Sequence, residues 1–380
     1  MDFKNYLVPG KTGLLIGIGG VSMSPLAEVL HDAGLDIRGS DMAESSNTLT
    51  LRERGIPIHI GHSADNVTDD ISFVIRTAAV HDDNPEVHEA HRRGIPVFER
   101  TQAWGALMRG YQNALCISGT HGKTTTTSMC THIMMAAEKD PTVMIGGTLP
   151  LLKACHRVGK GNTIIMESCE YYNSFLALNP TIAVVLNIEA DHLDFFKDLE
   201  DIKHSFRCFA ERVPAETGTV IANYDDANTM DALRGIARKV ITFGLNAKAD
   251  VYAQNIVHRG SVSEFDIYHR GNYFARVTLH VPGIHNVRNA LAATAAAIVL
   301  GVSPNAVKYG LAGFEGAGRR FDFKGKFQGA DLYDDYAHHP SELRALLDAV
   351  DTLNYQRTIV VFQPHTYSRT AKLFNDFVEQ

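Results

Sequence analysis

Residues 113–138, NALCISGTHGKTTTTSMCTHIMMAAE, carry the pattern on which the fold prediction rests. The apolar run 113–118 predicts a short buried strand, 119–122 a tight glycine loop, and 124–138 a helix with one apolar face. A strand, a glycine loop and a helix in this order allow backbone N–H groups and a helix N-terminus to approach an anion. The stretch therefore predicts a phosphate-binding loop.

The loop itself departs from the general G-x-x-x-x-G-K-[ST] pattern, because Ile117 occupies the first glycine position. What remains is the variant Gly119-Thr-His-Gly-Lys-Thr124. In such a loop Lys123 reaches the β- and γ-phosphates, and the Thr124 hydroxyl can hold Mg²⁺. The alternative is a glycine-rich turn with an ordinary surface lysine, and the flanking strand and helix argue against it.

Length, charge and cysteine content limit the class of protein. The chain has 380 residues and a net charge of −7, with no block of basic residues, which argues against a nucleic-acid partner. We expect no signal peptide, because residues 1–13 contain no apolar core of signal-peptide length, and no membrane insertion, because no apolar run reaches about 18 residues. Five widely spaced cysteines without a C-x-x-C pair argue against a disulfide framework or a zinc site, and fit a reducing cytoplasm.

The N-terminal region predicts a second nucleotide site. An apolar strand at 14–18 runs into a glycine-rich turn, and a helix at 25–33 and a second strand at 36–38 follow. This βαβ order can place a pyrophosphate on the helix N-terminus and a ribose hydroxyl on Asp41. The motif is weak alone, since Ser22 replaces the last glycine of G-x-G-x-x-G, and a nicotinamide-dependent oxidoreductase is an alternative.

Two further strands end in chemically useful side chains. The strand predicted at 163–166 leads to Glu170, and the strand predicted at 182–186 leads to His192. Because ligands bind at the carboxyl ends of parallel strands, we expect both loops to converge on the phosphate-binding loop. Glu170 and His192 are therefore candidate metal ligands, although a solvated acid and a capping or core histidine are the simpler interpretations.

The pattern changes in the second half of the chain. Alternation at 262–268 and 273–281 predicts an antiparallel hairpin, which we expect to be peripheral because it is polar. Next, His285, Asn286 and Asn289 cluster before an alanine-rich helix predicted at 290–300. Helix capping explains one of these side chains, whereas three together could bind an adenine edge.

A glycine-rich segment at 313–320 predicts a domain boundary. Beyond it, strands are predicted at 331–333 and 358–362, and the second is expected to be buried. Since about 60 residues are few for an α/β domain, we expect the last domain to be truncated at Gln380.

Taken together these motifs resemble the Mur ligase family, the ATP-dependent ligases that build the peptide of bacterial cell-wall precursors. The resemblance spans nearly the whole chain in the family's order. The stretches that carry it are 17–23, 119–126, 187–194, 283–289, 318–323, 334–340 and 362–370.

The resemblance implies an α/β protein of three domains. Residues 1–112 would form a Rossmann-like domain for a UDP-linked substrate, and residues 113–317 a central P-loop ATPase domain with a small antiparallel β portion. Residues 318–380 would begin a Rossmann-like C-terminal ligase domain that is incomplete here.

It also implies roles for individual residues. The catalytic set would be Lys123, Glu170, His192, Arg320 and His339. ATP would contact Gly119, Thr120, His121, Gly122, Lys123, Thr124, Thr125, His285, Asn286, Asn289, Arg320 and Asp335. The other substrates would contact Gly17, Gly19, Gly20, Ser22, Asp41, His339 and Arg369, and Mg²⁺ would contact Thr124, Glu170 and His192.

The reaction implied is ATP-dependent ligation of L-alanine to the lactyl carboxylate of UDP-N-acetylmuramate through an acyl phosphate. Mg²⁺ would be required, with Mn²⁺ able to take its place, in a monomer or homodimer of the bacterial cytoplasm. One alternative is the recycling branch that joins a whole tripeptide to the same acid, but the residues at 318–323 and 362–365 favour alanine addition. Another is a noncatalytic nucleotide-binding protein, which the expected truncation makes conceivable.

Overall fold

In a computed structural model of the chain, residues 2–77 and 79–380 are described. They form two compact units. The first comprises Met1–Gln112, His156–Val158 and Ala177–Asn179, and the second comprises Asn113–Cys155, Gly159–Leu176 and Pro180–Gln380. No helix in the described part of the chain is long and apolar enough to cross a membrane.

Helices and strands alternate along most of the chain. The helices are α1 Ser24–Asp32, α2 Ser46–Glu53, α3 Pro85–Arg92, α4 Arg100–Met108, α5 Lys123–Ala136, α6 Leu199–Glu211, α7 Ala227–Ala232, α8 Ile284–Val299, α9 Pro304–Ala312, α10 Pro340–Asp351, α11 Tyr367–Lys372 and α12 Phe374–Glu379. The strands are β1 Thr12–Ile16, β2 Asp36–Asp41, β3 Ile58–Ile60, β4 Ile71–Arg76, β5 Val97–Glu99, β6 Asn113–Ser118, β7 Thr142–Leu149, β8 Ala154–Arg157, β9 Thr163–Glu167, β10 Ile182–Val185, β11 Thr219–Asn223, β12 Lys239–Gly244, β13 Val251–Arg259, β14 Val262–His269, β15 Asn272–Leu279, β16 Asp322–Phe327 and β17 Ala330–Asp334.

The first unit is built on a five-stranded parallel sheet with the order β3-β2-β1-β4-β5. Its central strand β1 is buried along its whole length, as expected for a parallel sheet covered on both faces. The strand order reverses direction at β1, and the glycine-rich turn follows this strand. Such a switch point is where open α/β sheets bind ligands.

The second unit contains a ten-stranded sheet with the order β15-β14-β13-β12-β11-β10-β6-β9-β7-β8. Strand β6 lies between β10 and β9 and is parallel to both. The loops after these three strands therefore leave the sheet at the same edge, which is the geometry expected from the sequence. Helices α5, α8 and α9 pack together against this sheet.

The antiparallel hairpin of β14 and β15 is not peripheral, so that expectation was wrong. Phe265, Ile267 and Val277 are fully buried and belong to the main core cluster. The alternating pattern explains this placement, because one face of each strand is apolar although the other face is polar. Counting polar residues without regard to the faces gave the wrong position.

The buried strand predicted at 358–362 is also absent from the described structure. Ile359 is 72% exposed and Val361 is 94% exposed, and no strand pairs with this segment. A strand needs a neighbour to satisfy its N–H and C=O groups, and β16 and β17 pair only with each other. The apolar run therefore lies in an irregular segment.

Candidate active site

The phosphate-binding loop is shaped by two glycines with positive φ. Gly119 has φ +144° and Gly122 has φ +83°, a region that other residues rarely adopt. A Cβ on Gly122 would lie 2.7 Å from Asn289 Oδ1. The end of the loop therefore packs directly against the first turns of α8, and only glycine fits there.

Lys123 is the first residue of α5, and its ammonium group turns back over the loop. Its Nζ donates hydrogen bonds to Gly119 O at 2.6 Å and Thr120 O at 3.1 Å, and lies 3.1 Å from Glu170 Oε2. Burial lowers the pKa of Lys123, but the charges of Glu170, Cys169 and Glu167 together outweigh it, and the net shift is upward. The lysine is therefore firmly protonated where anionic phosphates would bind.

Thr124 contacts a carboxylate that sequence reasoning did not select. Its Oγ1 donates a hydrogen bond of 3.0 Å to Glu167 Oε1, while Gly146 N–H donates to Glu167 Oε2 at 2.6 Å. Glu167 is the last residue of β9, the strand beside β6. An acid at the end of the neighbouring strand is the signal that could have identified it.

Glu170 and His192 lie close together beside Lys123. Glu170 is only 2% exposed, and its Oε1 lies 3.9 Å from His192 Nε2. The ring of Tyr171 stacks on His192 at 4.3 Å between centroids. Burial lowers the pKa of His192, which keeps the imidazole neutral and therefore able to donate a lone pair to a metal.

A cavity of about 350 Å³ lies next to the phosphate-binding loop. Eight of the residues predicted to contact ATP line it, namely His121, Gly122, Thr125, His285, Asn286, Asn289, Arg320 and Asp335. Lys123, Glu170 and His192 do not line this cavity. The predicted residues therefore divide between one cavity and the adjoining cluster of charged groups.

The three polar residues at the start of α8 are not helix caps. Gly283 is the N-cap and the helix has no side-chain cap. Asn286 Nδ2 instead donates to Pro282 O at 2.7 Å, and Asn289 Nδ2 donates to Asn286 Oδ1 at 3.2 Å. Burial lowers the pKa of His285 to about 4, so this ring is neutral near pH 7.

Arg320 and Asp335 also line this cavity. Asp335 accepts backbone hydrogen bonds from Phe321 and Ala337, each at 2.7 Å, and burial raises its pKa. The Arg320 guanidinium lies 3.8 Å from Glu342 Oε1 and 5.1 Å from the centre of the Tyr336 ring. Asp335 is thus held by the backbone, whereas Arg320 is held by charge and ring contacts.

His339 and Arg369 line two different cavities. Arg369 and His192 face a cavity of about 220 Å³, and Arg369 donates to both carboxylate oxygens of Asp191 at 2.9 and 3.2 Å. His339 precedes α10, is 5% exposed, and faces a cavity of about 720 Å³ that Glu189 also lines. The structure does not bring these two side chains together in one cavity.

In the first unit, Gly17, Gly19, Gly20 and Asp41 line a cleft of about 660 Å³. Asp41 Oδ2 accepts a hydrogen bond of 2.8 Å from Gly19 N–H, so this carboxylate also holds the glycine turn in place. Ser22 does not line the cleft, and its hydroxyl accepts from Arg100. Four of the five predicted residues therefore meet at the cleft.

Sequence reasoning missed a buried polar network at the same cleft. Glu86 is fully buried and accepts hydrogen bonds from Ser40 Oγ at 2.7 Å and Asn66 Nδ2 at 2.6 Å, while His62 Nδ1 lies 2.7 Å from it. His62 lines the cleft. Glu86 lies in the first turn of α3. The sequence of that helix is polar, so it predicts a solvated helix and gives no sign that this acid is buried.

The fold and the site define a nucleotide-binding α/β protein with a P-loop beside buried carboxylates. Family models match the chain in three parts, described as Mur ligase family, catalytic domain (residues 15–112), Mur ligase middle domain (117–297) and Mur ligase, glutamate ligase domain (319–380). The chain belongs to the Mur ligase family.

Curated relatives include UDP-N-acetylmuramate–L-alanine ligases of Agathobacter rectalis and Clostridium novyi. Each is 46% identical to this chain; the matches cover 96% and 99% of this chain and 79% and 82% of the relatives. Among solved structures, the UDP-N-acetylmuramate–alanine ligase of Thermotoga maritima has a TM-score of 0.78 at 31% identity, covering 95% of this chain and 83% of that one.

A second solved structure is the UDP-N-acetylmuramate:L-alanyl-gamma-D-glutamyl-meso-diaminopimelate ligase of Neisseria meningitides. It has a TM-score of 0.73 at 26% identity, and the match covers 81% of this chain and 99% of that one. The fold is therefore shared by ligases whose names specify different amine substrates.

Proposed function

We propose that this chain joins L-alanine to the lactyl carboxylate of UDP-N-acetylmuramate, using ATP and releasing ADP and phosphate, in peptidoglycan precursor synthesis. The observation that carries the proposal is the 46% identity, over nearly the whole chain, to ligases of this name. The P-loop with a partly buried, protonated Lys123 beside Glu170 supports the use of ATP. Family membership argues against the oxidoreductase alternative.

In the first chemical step a carboxylate oxygen of the acid attacks the γ-phosphorus of ATP, and the bond to the ADP oxygen breaks. Lys123 would leave its contacts with the loop carbonyls and bind the phosphates, where its charge stabilises the transferring group. The product is an acyl phosphate. No nucleophilic side chain is required, so positioning and charge carry the catalysis.

In the second step the amine of L-alanine attacks the acyl carbon, a tetrahedral intermediate forms, and phosphate leaves with the electron pair of the broken C–O bond. The amine loses a proton during this step, and the leaving phosphate accepts it. His339 and Arg369 are proposed to lie near the meeting point of acid and amine, and the Asp191 carboxylate holds Arg369.

The donor set beside Lys123 suits Mg²⁺, with Mn²⁺ able to replace it. Thr124, Glu167 and Glu170 supply oxygen donors, which Mg²⁺ prefers, and His192 supplies one nitrogen. When bound there, the ion would neutralise charge on the phosphates. Glu167 is added to the predicted ligands because it contacts the Thr124 hydroxyl.

The two substrates would occupy separate parts of the chain. The base of ATP is proposed to lie near His285, Asn286 and Asn289, with the ribose near Asp335. The UDP group is proposed to bind the cleft at the glycine-rich turn of the first unit. A monomer or homodimer in the bacterial cytoplasm remains part of the proposal, as do the two domain boundaries at 112 and 317.

The test is phosphate release from ATP with Mg²⁺ and UDP-N-acetylmuramate, comparing L-alanine with the tripeptide L-alanyl-γ-D-glutamyl-meso-diaminopimelate. We expect release that depends on L-alanine and that Glu170→Ala abolishes. Glu216→Ala, an exposed acid in the same unit, serves as the matched control and should behave as wild type. Preference for the tripeptide would assign the chain to the recycling reaction, and ATP binding without release with either amine would contradict both ligase assignments.

A further inference from the structure

Three side chains that belong to different segments meet beside the phosphate-binding loop. His121 lies in that loop, Glu189 follows β10, and His339 precedes α10. One ligand atom from each lies within 4.8 Å of the other two. The imidazole rings of His121 and His339 are 4.7 Å apart between centroids.

Both imidazoles are oriented so that one nitrogen faces Glu189. His121 Nδ1 lies 3.2 Å from Glu342 Oε1, and His121 Nε2 lies 3.4 Å from Glu189 Oε2. His339 Nε2 lies 3.4 Å from Ala190 O, and His339 Nδ1 lies 3.9 Å from Glu189 Oε2. A histidine whose second nitrogen is held by a carboxylate or carbonyl is the usual arrangement around a bound metal.

The two ring nitrogens that face Glu189 make weak hydrogen bonds or none with the residues that the structure describes. His121 Nε2 is buried and makes no hydrogen bond within them. His339 Nδ1 accepts only a long contact of 3.3 Å from Ser341 N–H. The Ser341 hydroxyl donates to Glu189, which retains a second carboxylate oxygen. Two carboxylates, Glu189 and Glu342, attract a cation to the cluster. Although burial lowers the pKa of His121, these carboxylates raise it to about 9, so an ion that binds there must displace the proton of this ring.

The geometry suits a small ion that accepts nitrogen ligands. Zinc binds histidine nitrogen and carboxylate oxygen at about 2.0–2.2 Å, so tetrahedral ligand atoms lie roughly 3.3–3.5 Å apart. The distances of 3.4 and 3.9 Å to Glu189 require only a small contraction. Two histidines and one glutamate with an open fourth position form a known zinc donor set, whereas Mg²⁺ prefers oxygen.

We propose that His121, Glu189 and His339 form a binding site for Zn²⁺ or a similar first-row transition ion, separate from the Mg²⁺ position at Thr124 and Glu170. An ion bound there links the phosphate-binding loop to the start of α10. Cysteine spacing could not indicate this site, because its ligands are histidines and a glutamate far apart in the sequence. The site does not depend on the proposed reaction.

The experiment uses the full chain after treatment with a chelator, titrated with Co²⁺ while visible absorption is recorded and then with Zn²⁺ as a competitor. We expect one strong site that Zn²⁺ occupies in preference to Co²⁺ and that excess Mg²⁺ does not displace. His339→Gln and Glu189→Gln should each weaken it by about 100-fold, at least the effect of losing an outer-shell partner.

His280→Gln is the matched control, because this exposed histidine of the same unit is outside the three-residue set and should leave the affinity unchanged. Circular dichroism establishes that each variant is folded, and two variants in separate segments make the result independent of either one. Wild-type affinity in folded His339→Gln and Glu189→Gln would overturn the proposal. So would displacement by Mg²⁺, or a sulfur-to-cobalt charge-transfer band that Cys169→Ser removes.

Discussion

At the scale of single residues, close approach decides which side chains can be present. Gly122 is required because its backbone has φ +83° and because Asn289 lies where a Cβ would be. Glu170 is buried and Lys123 is partly buried, and the two neutralise each other's charge. The sequence predicted these residues by type and spacing, but it could not predict that Asn289 closes on the loop.

Gly122→Ala should impair nucleotide binding beyond its cost to folding. Gly301→Ala is the matched control, because Gly301 also has positive φ, +67°, but has open space around its Cβ position. Both changes place a side chain in the left-handed region of backbone conformation, which should cost roughly 1–2 kcal/mol of unfolding free energy. Only Gly122→Ala adds the contact with Asn289. We expect ATP to bind this variant at least about tenfold more weakly, a loss of about 1.4 kcal/mol of binding free energy.

The measurements are denaturant unfolding and ATP titration by calorimetry. Equal ATP affinity in Gly122→Ala and Gly301→Ala would show that the contact with Asn289 is unimportant.

His132 should contribute to the loss of stability in acid. Burial lowers its pKa to about 4 from 6.5. The unfolded chain therefore binds the proton more readily, so stability is complete above pH 6.5 and falls as the pH drops toward 4. His132→Gln should remove about 2–3 kcal/mol of the difference in unfolding free energy between pH 7 and pH 4.5.

His280→Gln changes an exposed histidine of the same unit and should retain the wild-type difference between the two pH values. If His132→Gln also retains it, the ring is protonated in the folded chain at pH 4.5 and the lowered pKa is wrong.

At the scale of elements, the sequence predicted strands best where they are central and apolar. Strand β6 forms at the predicted residues 113–118. It lies between β10 and β9 and is parallel to both, and a central parallel strand is an apolar run because both of its faces are covered. The segment 358–362 is just as apolar, yet it forms no strand because no neighbour pairs with it. Local composition cannot distinguish these cases, since strand formation depends on a partner distant in sequence.

Phe265→Ala should test whether the hairpin of β14 and β15 belongs to the core. Phe265 is fully buried, and removal of such a ring should cost about 3–5 kcal/mol of unfolding free energy. Tyr273→Ala removes a ring that is 60% exposed on the same hairpin and should cost no more than about 1 kcal/mol. Chemical denaturation of both variants provides the comparison, and equal losses would return the hairpin to the periphery.

At the scale of the whole molecule, the chain divides its binding residues between two compact units. The cleft at Asp41 belongs to the first unit, and the phosphate-binding loop with its cavity belongs to the second. The three family models match 15–112, 117–297 and 319–380, and the boundaries at 112 and 317 remain predictions.

Because the two sites lie in separate units, their ligands should be lost independently. Lys123→Met should weaken ATP binding by at least about tenfold, or 1.4 kcal/mol, and leave UDP-N-acetylmuramate binding unchanged. Asp41→Ala should weaken UDP-N-acetylmuramate binding and leave ATP binding unchanged, because it frees the Gly19 N–H and loosens the glycine turn. Calorimetric titration of each variant with each ligand tests this, and loss of both ligands in Lys123→Met would contradict it.

The sequence by itself determined the α/β class, the phosphate-binding loop and the family, because these depend on local periodicity and on short motifs whose spacing the chain preserves. The tertiary structure alone decided which side chains meet. It brought Glu167 to Thr124, enclosed Glu86 among polar partners, and placed Glu189 between His121 and His339. These contacts join residues far apart in the chain, so local periodicity and motif spacing cannot predict them.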